Sequence, residues 1–174
     1  MKRRVPPFVP SVRPSPAQFP RKTMFESLEQ RILLSADAIG AVDAAGLLRI
    51  GLDDASHNLV VSRIGDSADG GARVRVDLDG WFWEAGDAER GVKSLAVQGG
   101  AGSDRIDVAN AGVRATVDGG AGDDTVVGAT ADSAWAITAQ DAGHVGLVDF
   151  LGVENLLGAG GNRDTFTQIG RAHV

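Results

Sequence analysis

Short apolar and polar residues alternate along most of this chain, and the runs are separated by clusters of Gly, Asp, Asn and Ser. In Arg73-Val74-Arg75-Val76-Asp77-Leu78 every second residue is apolar and the residues between are charged. A period of two puts one set of side chains on each face of a strand, so this run predicts a half-buried strand. The same reasoning predicts strands at 47–52, 58–64, 81–83, 94–97, 105–108, 114–117, 125–127, 134–138 and 145–150. Polar and glycine-rich clusters between them are turn chemistry.

Two of the runs repeat. Residues 97–108 read V-Q-G-G-A-G-S-D-R-I-D-V and residues 117–127 read V-D-G-G-A-G-D-D-T-V-V. Their G-G-A-G blocks begin at Gly99 and Gly119, twenty residues apart, which aligns Leu95 and Val97 with Ala115 and Val117. The same offset aligns Asp104 with Asp124 and Ile106 with Val126. A unit this short cannot bury its apolar face alone, so neighbouring copies must supply the core. A degenerate third copy runs over 158–166. The predicted fold is mainly β: a right-handed β-solenoid or β-roll-like stack, with a β-sandwich as the alternative.

The first 45 residues are different. Residues 1–24 are basic and rich in proline, which removes backbone donors and blocks helix, so a disordered arm is expected there. Residues 25–45 predict a short helix and a linker. Phe25, Leu28, Ile32 and Leu33 fall at helical spacing, with Thr23 as N-cap and Glu26 completing a capping box. The β region then occupies 46–168.

Composition sharpens this picture. The 174 residues include 24 glycines, no cysteine and no tyrosine. Glycine at that level without a collagen period points to turn-dense β structure. The lack of cysteine removes disulfides, thiolate metal sites and cysteine nucleophiles. Residues 1–37 hold seven Lys/Arg against three Asp/Glu, whereas the other 137 hold ten against twenty. An acidic body does not match phosphate backbones, so no nucleic-acid partner is expected. No run reaches the roughly 20 apolar residues of a spanning helix, and the N-terminus lacks the apolar core of a cleaved signal peptide.

The G-G-A-G-x-D-x-(Ile/Val) blocks resemble the repeats of hemolysin-type (RTX) calcium-binding proteins. That resemblance implies Ca²⁺ ligands at Asp104, Asp123 and Asp124, with carbonyls from Gly99, Gly100, Gly102, Gly119, Gly120 and Gly122. Calcium takes six to eight hard oxygen ligands, which carboxylates and carbonyls supply. The family spaces its repeats by nine residues, whereas the offset here is twenty. On the residues alone, purely structural turns are favoured over an occupied site.

A second resemblance lies at residues 25–37, F-E-S-L-E-Q-R-I-L-L-S-A-D. It is similar to the LEPR-XLL motif, F-E-x-L-E-P-R-x-L-L-S-A-D, with Gln30 in place of the proline. That motif sits near the N-terminus of very large, repeat-rich bacterial exoproteins. Phe150-Leu151-Gly152-Val153-Glu154-Asn155-Leu156 resembles the F-x-G-V-E-N-L segments of the same proteins. The resemblance implies the N-terminal part of a giant exported protein, extracellular or at the cell surface. Its role would be structural or adhesive, with an unidentified surface or matrix ligand and no catalytic site in this chain. The alternative is the N-terminal part of an RTX-type exoenzyme or toxin with its catalytic domain elsewhere.

Other constellations carry less. His57, His144 and His173 are far apart and lack ligand spacing, so each reads as a solvated or turn histidine. No G-x-S-x-G elbow accompanies the serines. Trp81 and Trp83 share a strand face, which suits core packing first and a sugar-stacking platform second. Residues 169–174, I-G-R-A-H-V, break the pattern. They translate ATC-GGA-AGA-GCA-CAC-GTC, which resembles a sequencing-library adapter, so no structural role is expected for them and the natural chain is expected to continue beyond Gln168.

Overall fold

A computed structural model describes residues 39–169. They form β1 (Ile39–Val42), β2 (Leu47–Gly51), β3 (Asn58–Asp66), β4 (Ala72–Leu78), β5 (Trp81–Ala85), β6 (Ser94–Gln98) and β7 (Arg105–Asp107). After a 3₁₀ turn at Ala109–Ala111 come β8 (Arg114–Asp118), β9 (Thr125–Val127), β10 (Ala134–Ala139), β11 (Ala142–Val145), β12 (Val148–Leu151), β13 (Asn155–Leu157) and β14 (Thr165–Gln168). The fold is mainly β and contains two mixed sheets. One runs β1-β2-β6-β8-β12-β11-β10-β14, the other β13-β9-β7-β3-β4-β5.

The repeat offset sets the pairing. Strand β6 lies parallel to β8 with Leu95 opposite Ala115 and Val97 opposite Val117. Strand β7 lies parallel to β9 with Ile106 opposite Val126. Both ladders extend to neighbours. In the first sheet Leu48, Leu95, Ala115 and Val148 form one buried row, and Ile50, Val97, Val117 and Phe150 form the next. In the second, Leu59, Ile106, Val126 and Leu156 line up. All of these rows belong to one apolar cluster, so both sheets contribute to a single core. Burying a branched side chain fully is worth roughly 1.5–3 kcal/mol, and this is the main force holding the copies together.

Two hairpins interrupt the regular copies. Strands β4 and β5 follow β3 antiparallel, joined by Asp79-Gly80, both at positive φ. An Asp-Gly pair of that geometry suits a two-residue hairpin turn. Strands β10 and β11 form the second hairpin, and β14 adds parallel to β10. There Trp135 is buried between Phe150, edge-on at 6.1 Å, and Phe166, stacked at 5.3 Å.

The strand expected over 145–150 is two strands instead. Gly146 at φ +55 reverses the chain, and β11 pairs antiparallel with β12. Residues 39–42, expected as linker, are an edge strand antiparallel to β2. The expected helix (residues 25–38 of it), the arm at 1–24 and the tail at 170–174 lie outside the described residues. Within them there is no α-helix. Ile169, placed in the tail by its sequence, donates its amide to the Ile137 carbonyl at 2.9 Å.

Candidate functional site: the glycine–aspartate turns

Each parallel strand of the second sheet is preceded by a turn, and the residue just before the strand is polar: His57, Asp104, Asp124 and Glu154. These four are stacked and linked. His57 N–H donates to Asp104 Oδ1, Asp104 N–H to Asp124 Oδ1, and Asp124 N–H to Glu154 Oε2, each at 2.8 Å. The degenerate third copy does the same on β14, where Asp164 Oδ1 accepts Ser133 N–H at 2.9 Å. One residue earlier the ladder runs in the opposite sense. Ser103 N–H donates to Ser56 Oγ at 3.0 Å and Asp123 N–H to Ser103 Oγ at 3.1 Å. Turn amides that neither ladder of strands can reach are thereby satisfied by the adjacent copy.

The glycines make this stacking physically possible. A Cβ on Gly119 would overlap the Gly152 carbonyl and lie 2.7 Å from Asp124 Oδ2. One on Gly99 would overlap the Gly119 carbonyl and lie 2.8 Å from Asp104 Oδ2. Gly100, Gly102, Gly120 and Gly122 each face the backbone of the preceding turn closely enough that a Cβ would overlap a carbonyl. Gly100 O also accepts Ala121 N–H at 2.9 Å.

The structure thus brings together Asp104, Asp124 and all six glycines named from the sequence. Asp123 is exposed beside them, its Oδ1 accepting from Asn155 Nδ2 at 2.6 Å. Asp104 and Asp124 are 2 % and 0 % exposed, and the Oδ2 of each has no hydrogen-bond partner. Burial raises both pKa values. For Asp104 the neighbouring Asp124 adds to that rise against the His57 amide; for Asp124 the charges of Glu154, Asp123 and Asp118 add to it. Among the described residues no three His, Cys, Asp or Glu side chains come together as a metal-holding group.

Sequence reasoning missed the first member of the stack. His57 is clasped on both ring nitrogens, Nδ1 to Asp79 Oδ2 at 2.6 Å and Nε2 to Asp53 Oδ1 at 2.9 Å. Asp79 Oδ1 also accepts Asn58 N–H at 2.8 Å, tying the β4–β5 turn to the stack. Burial disfavours the imidazolium, but the bonds to Asp79 and Asp53 outweigh it and raise the His57 pKa. His57 is therefore a pinned turn residue rather than a solvated one, whereas His144 is exposed on β11 and His173 lies outside the described residues. Glu154 was also missed as the carboxylate of its copy. Its signal was the place directly before an Asn-Leu-Leu strand. Trp81, expected first as core, is 82 % exposed, while Trp83 is half-buried against the core.

Comparison of the chain with protein-family models, with curated proteins and with solved structures finds no match.

Proposed function

We propose that this chain is a structural repeat module, a two-sheet β-solenoid with twenty-residue coils and two inserted hairpins, and that its glycine–aspartate turns hold coil to coil. One observation carries this reading: in successive copies the backbone amide at the strand entrance is received by a carboxylate of the next copy, buried at Asp104 and Asp124 and exposed at Glu154. Carboxylates already used in this way are poor candidates for acid–base or nucleophilic work, which supports a non-catalytic role. The LEPR-XLL-like segment supports placing the module in the N-terminal part of a large exported surface protein, where a stiff stack serves as stalk or adhesive scaffold. Limited proteolysis of intact native cells tests the location. Cleavage of this region by protease added outside is expected, and protection until lysis would contradict it.

A calcium ion at the same turns is the second reading. It is favoured by the partnerless Oδ2 atoms of Asp104 and Asp124. Thermal unfolding in excess chelator and in millimolar calcium separates the two. A self-sufficient stack melts at the same temperature in both, and a midpoint that climbs with calcium assigns the turns to the ion.

A further inference from the structure

The second sheet is open at one end. Among the described residues β13 is its last strand and pairs only with β9. Cover is lost at this copy, position by position. Asp104 and Asp124 are buried, whereas Glu154, in the same place before its strand, is exposed. In the core row Leu59, Ile106 and Val126 are fully buried, whereas Leu156 is only partly so. On the other face of the sheet Val127 is buried, and its partner Leu157 is 46 % exposed.

The backbone is open on the same side. Asn155 N–H donates to the Asp124 carbonyl and the Leu157 carbonyl accepts Gly128 N–H, both at 2.9 Å. Alternate residues of a parallel strand bond to opposite neighbours, so Leu156 N–H and C=O point away from β9. The amide ladder stops here too. His57, Asp104 and Asp124 each give their amide to the following copy, while Glu154 N–H has no acceptor among the described residues.

These open groups specify what completes them. The three preceding entrances, Asp104-Arg105-Ile106, Asp124-Thr125-Val126 and Glu154-Asn155-Leu156, share the form acid-x-apolar. A further strand of that form, parallel to β13, brings a carboxylate to Glu154 N–H and an apolar side chain onto Leu156. A second copy of the whole chain does not supply it. The outer edges of β2 and β3, its first parallel strands, already carry β1 and β4 antiparallel.

We propose that the β13 edge is a docking site for one further acid-x-apolar repeat strand, added parallel to β13 and drawn from the repeat array to which this module belongs. The inference rests on the repeat-module reading above and continues the β9–β13 interface by one copy. Main-chain bonds to Leu156 hold the added strand, as in other cases of strand addition to a sheet edge. The carboxylate fixes its register, because a slip of one residue turns the apolar side chain outward and leaves Glu154 N–H unmet.

The test uses the whole chain labelled with ¹⁵N and a synthetic peptide copying residues 117–128, titrated by NMR to about millimolar concentration. Saturable shifts are expected at the Glu154 and Leu156 amides, with the β1 and β5 edges unmoved. The same peptide carrying Asp124→Ala should bind about threefold to tenfold more weakly, the effect of one hydrogen bond. No shift at β13, shifts confined to β1 or β5, or equal binding of the two peptides would overturn the proposal. So would a concentration-dependent dimer that buries β13 without peptide, which would give the edge to a second copy. Failure here alongside the correct cross-strand disulfide between Ala96→Cys and Thr116→Cys would sink the docking site and leave the repeat module standing.

Discussion

Replacing Asp124 in two ways separates its hydrogen bond from its charge. In Asp124→Ala the buried Asp104 amide loses its only side-chain acceptor, a 2.8 Å bond. Leaving a buried donor unsatisfied costs about 1–3 kcal/mol. Part of that is offset, because the alanine also removes a carboxylate whose pKa burial has raised. In Asp124→Asn the acceptor stays and the charge goes. The amide nitrogen then takes the place of Oδ2, which shares the space above Gly119 with the Gly152 carbonyl. A donor there is better placed than a second acceptor, so the asparagine variant should lie within about 1 kcal/mol of the natural protein. The assay is urea unfolding at neutral pH, with thermal melts in parallel. A loss of 1 kcal/mol corresponds to about 2–5 °C for a region of this size. Alanine should therefore melt several degrees lower and asparagine should not. Equal losses in the two variants would refute the ladder as the role of this carboxylate and assign the role to its charge. An alanine variant of natural stability would mean that the bond contributes nothing.

Further outcomes follow from the same geometry. Gly119→Ala puts a methyl group into the Gly152 carbonyl and against Asp124 Oδ2, so a loss of at least about 3 kcal/mol, or failure to fold, is expected in urea unfolding. Gly160→Ala, which meets nothing nearby, should be close to neutral in the same measurement. Trp135→Ala empties the contact with Phe150 and Phe166 and should cost about 3–5 kcal/mol in the same unfolding assay. Stability should also depend on pH in a defined sense. His57, Asp104 and Asp124 have raised pKa values, so the native state holds their protons more tightly and stability falls as pH climbs through those values. Asp43, Asp69 and Asp87 are lowered chiefly by backbone hydrogen bonds, so their contribution disappears only as pH drops below the usual carboxylate range. Melting temperature should accordingly be higher near about pH 5.5 than near about pH 8, and a rise toward alkaline pH would contradict these assignments.

Much of the architecture was legible because the repeat preserves register. The offset between Gly99 and Gly119 gave the partners of Leu95, Val97 and Ile106 directly, since parallel copies pair residue for residue. The strands around β6 to β9 were visible as alternation. Strands β1, β13 and β14 were not, being three or four residues long and too short to show a period. Val145–Phe150 misled because an apolar run across Gly146-Leu147 looks the same whether it is one strand or a tight hairpin. At the turns, the sequence singled out Asp104, Asp124 and the glycines that the structure stacks together, but did not show what they bond to. Asp104 and Asp124 could be read as oxygen donors, yet that a backbone amide of the neighbouring copy takes one oxygen depends on three-dimensional stacking. His57 was hidden for a related reason. The β4–β5 hairpin separates it from Asp104 by 47 residues, so the twenty-residue offset cannot find it.

Parallel register between the repeat strands is the claim on which the rest depends, and disulfide trapping tests it directly. The chain has no cysteine, so an introduced pair reports without interference. Ala96 and Thr116 are register partners on β6 and β8. Adjacent strands bring such partners to about 4.8 Å, within disulfide reach, whereas a two-residue slip leaves about 8 Å. The account predicts that Ala96→Cys with Thr116→Cys oxidises readily within the monomer, and that Ala96→Cys with Arg114→Cys does not. Preferential trapping of the second pair, or of neither, would contradict the stacked repeat.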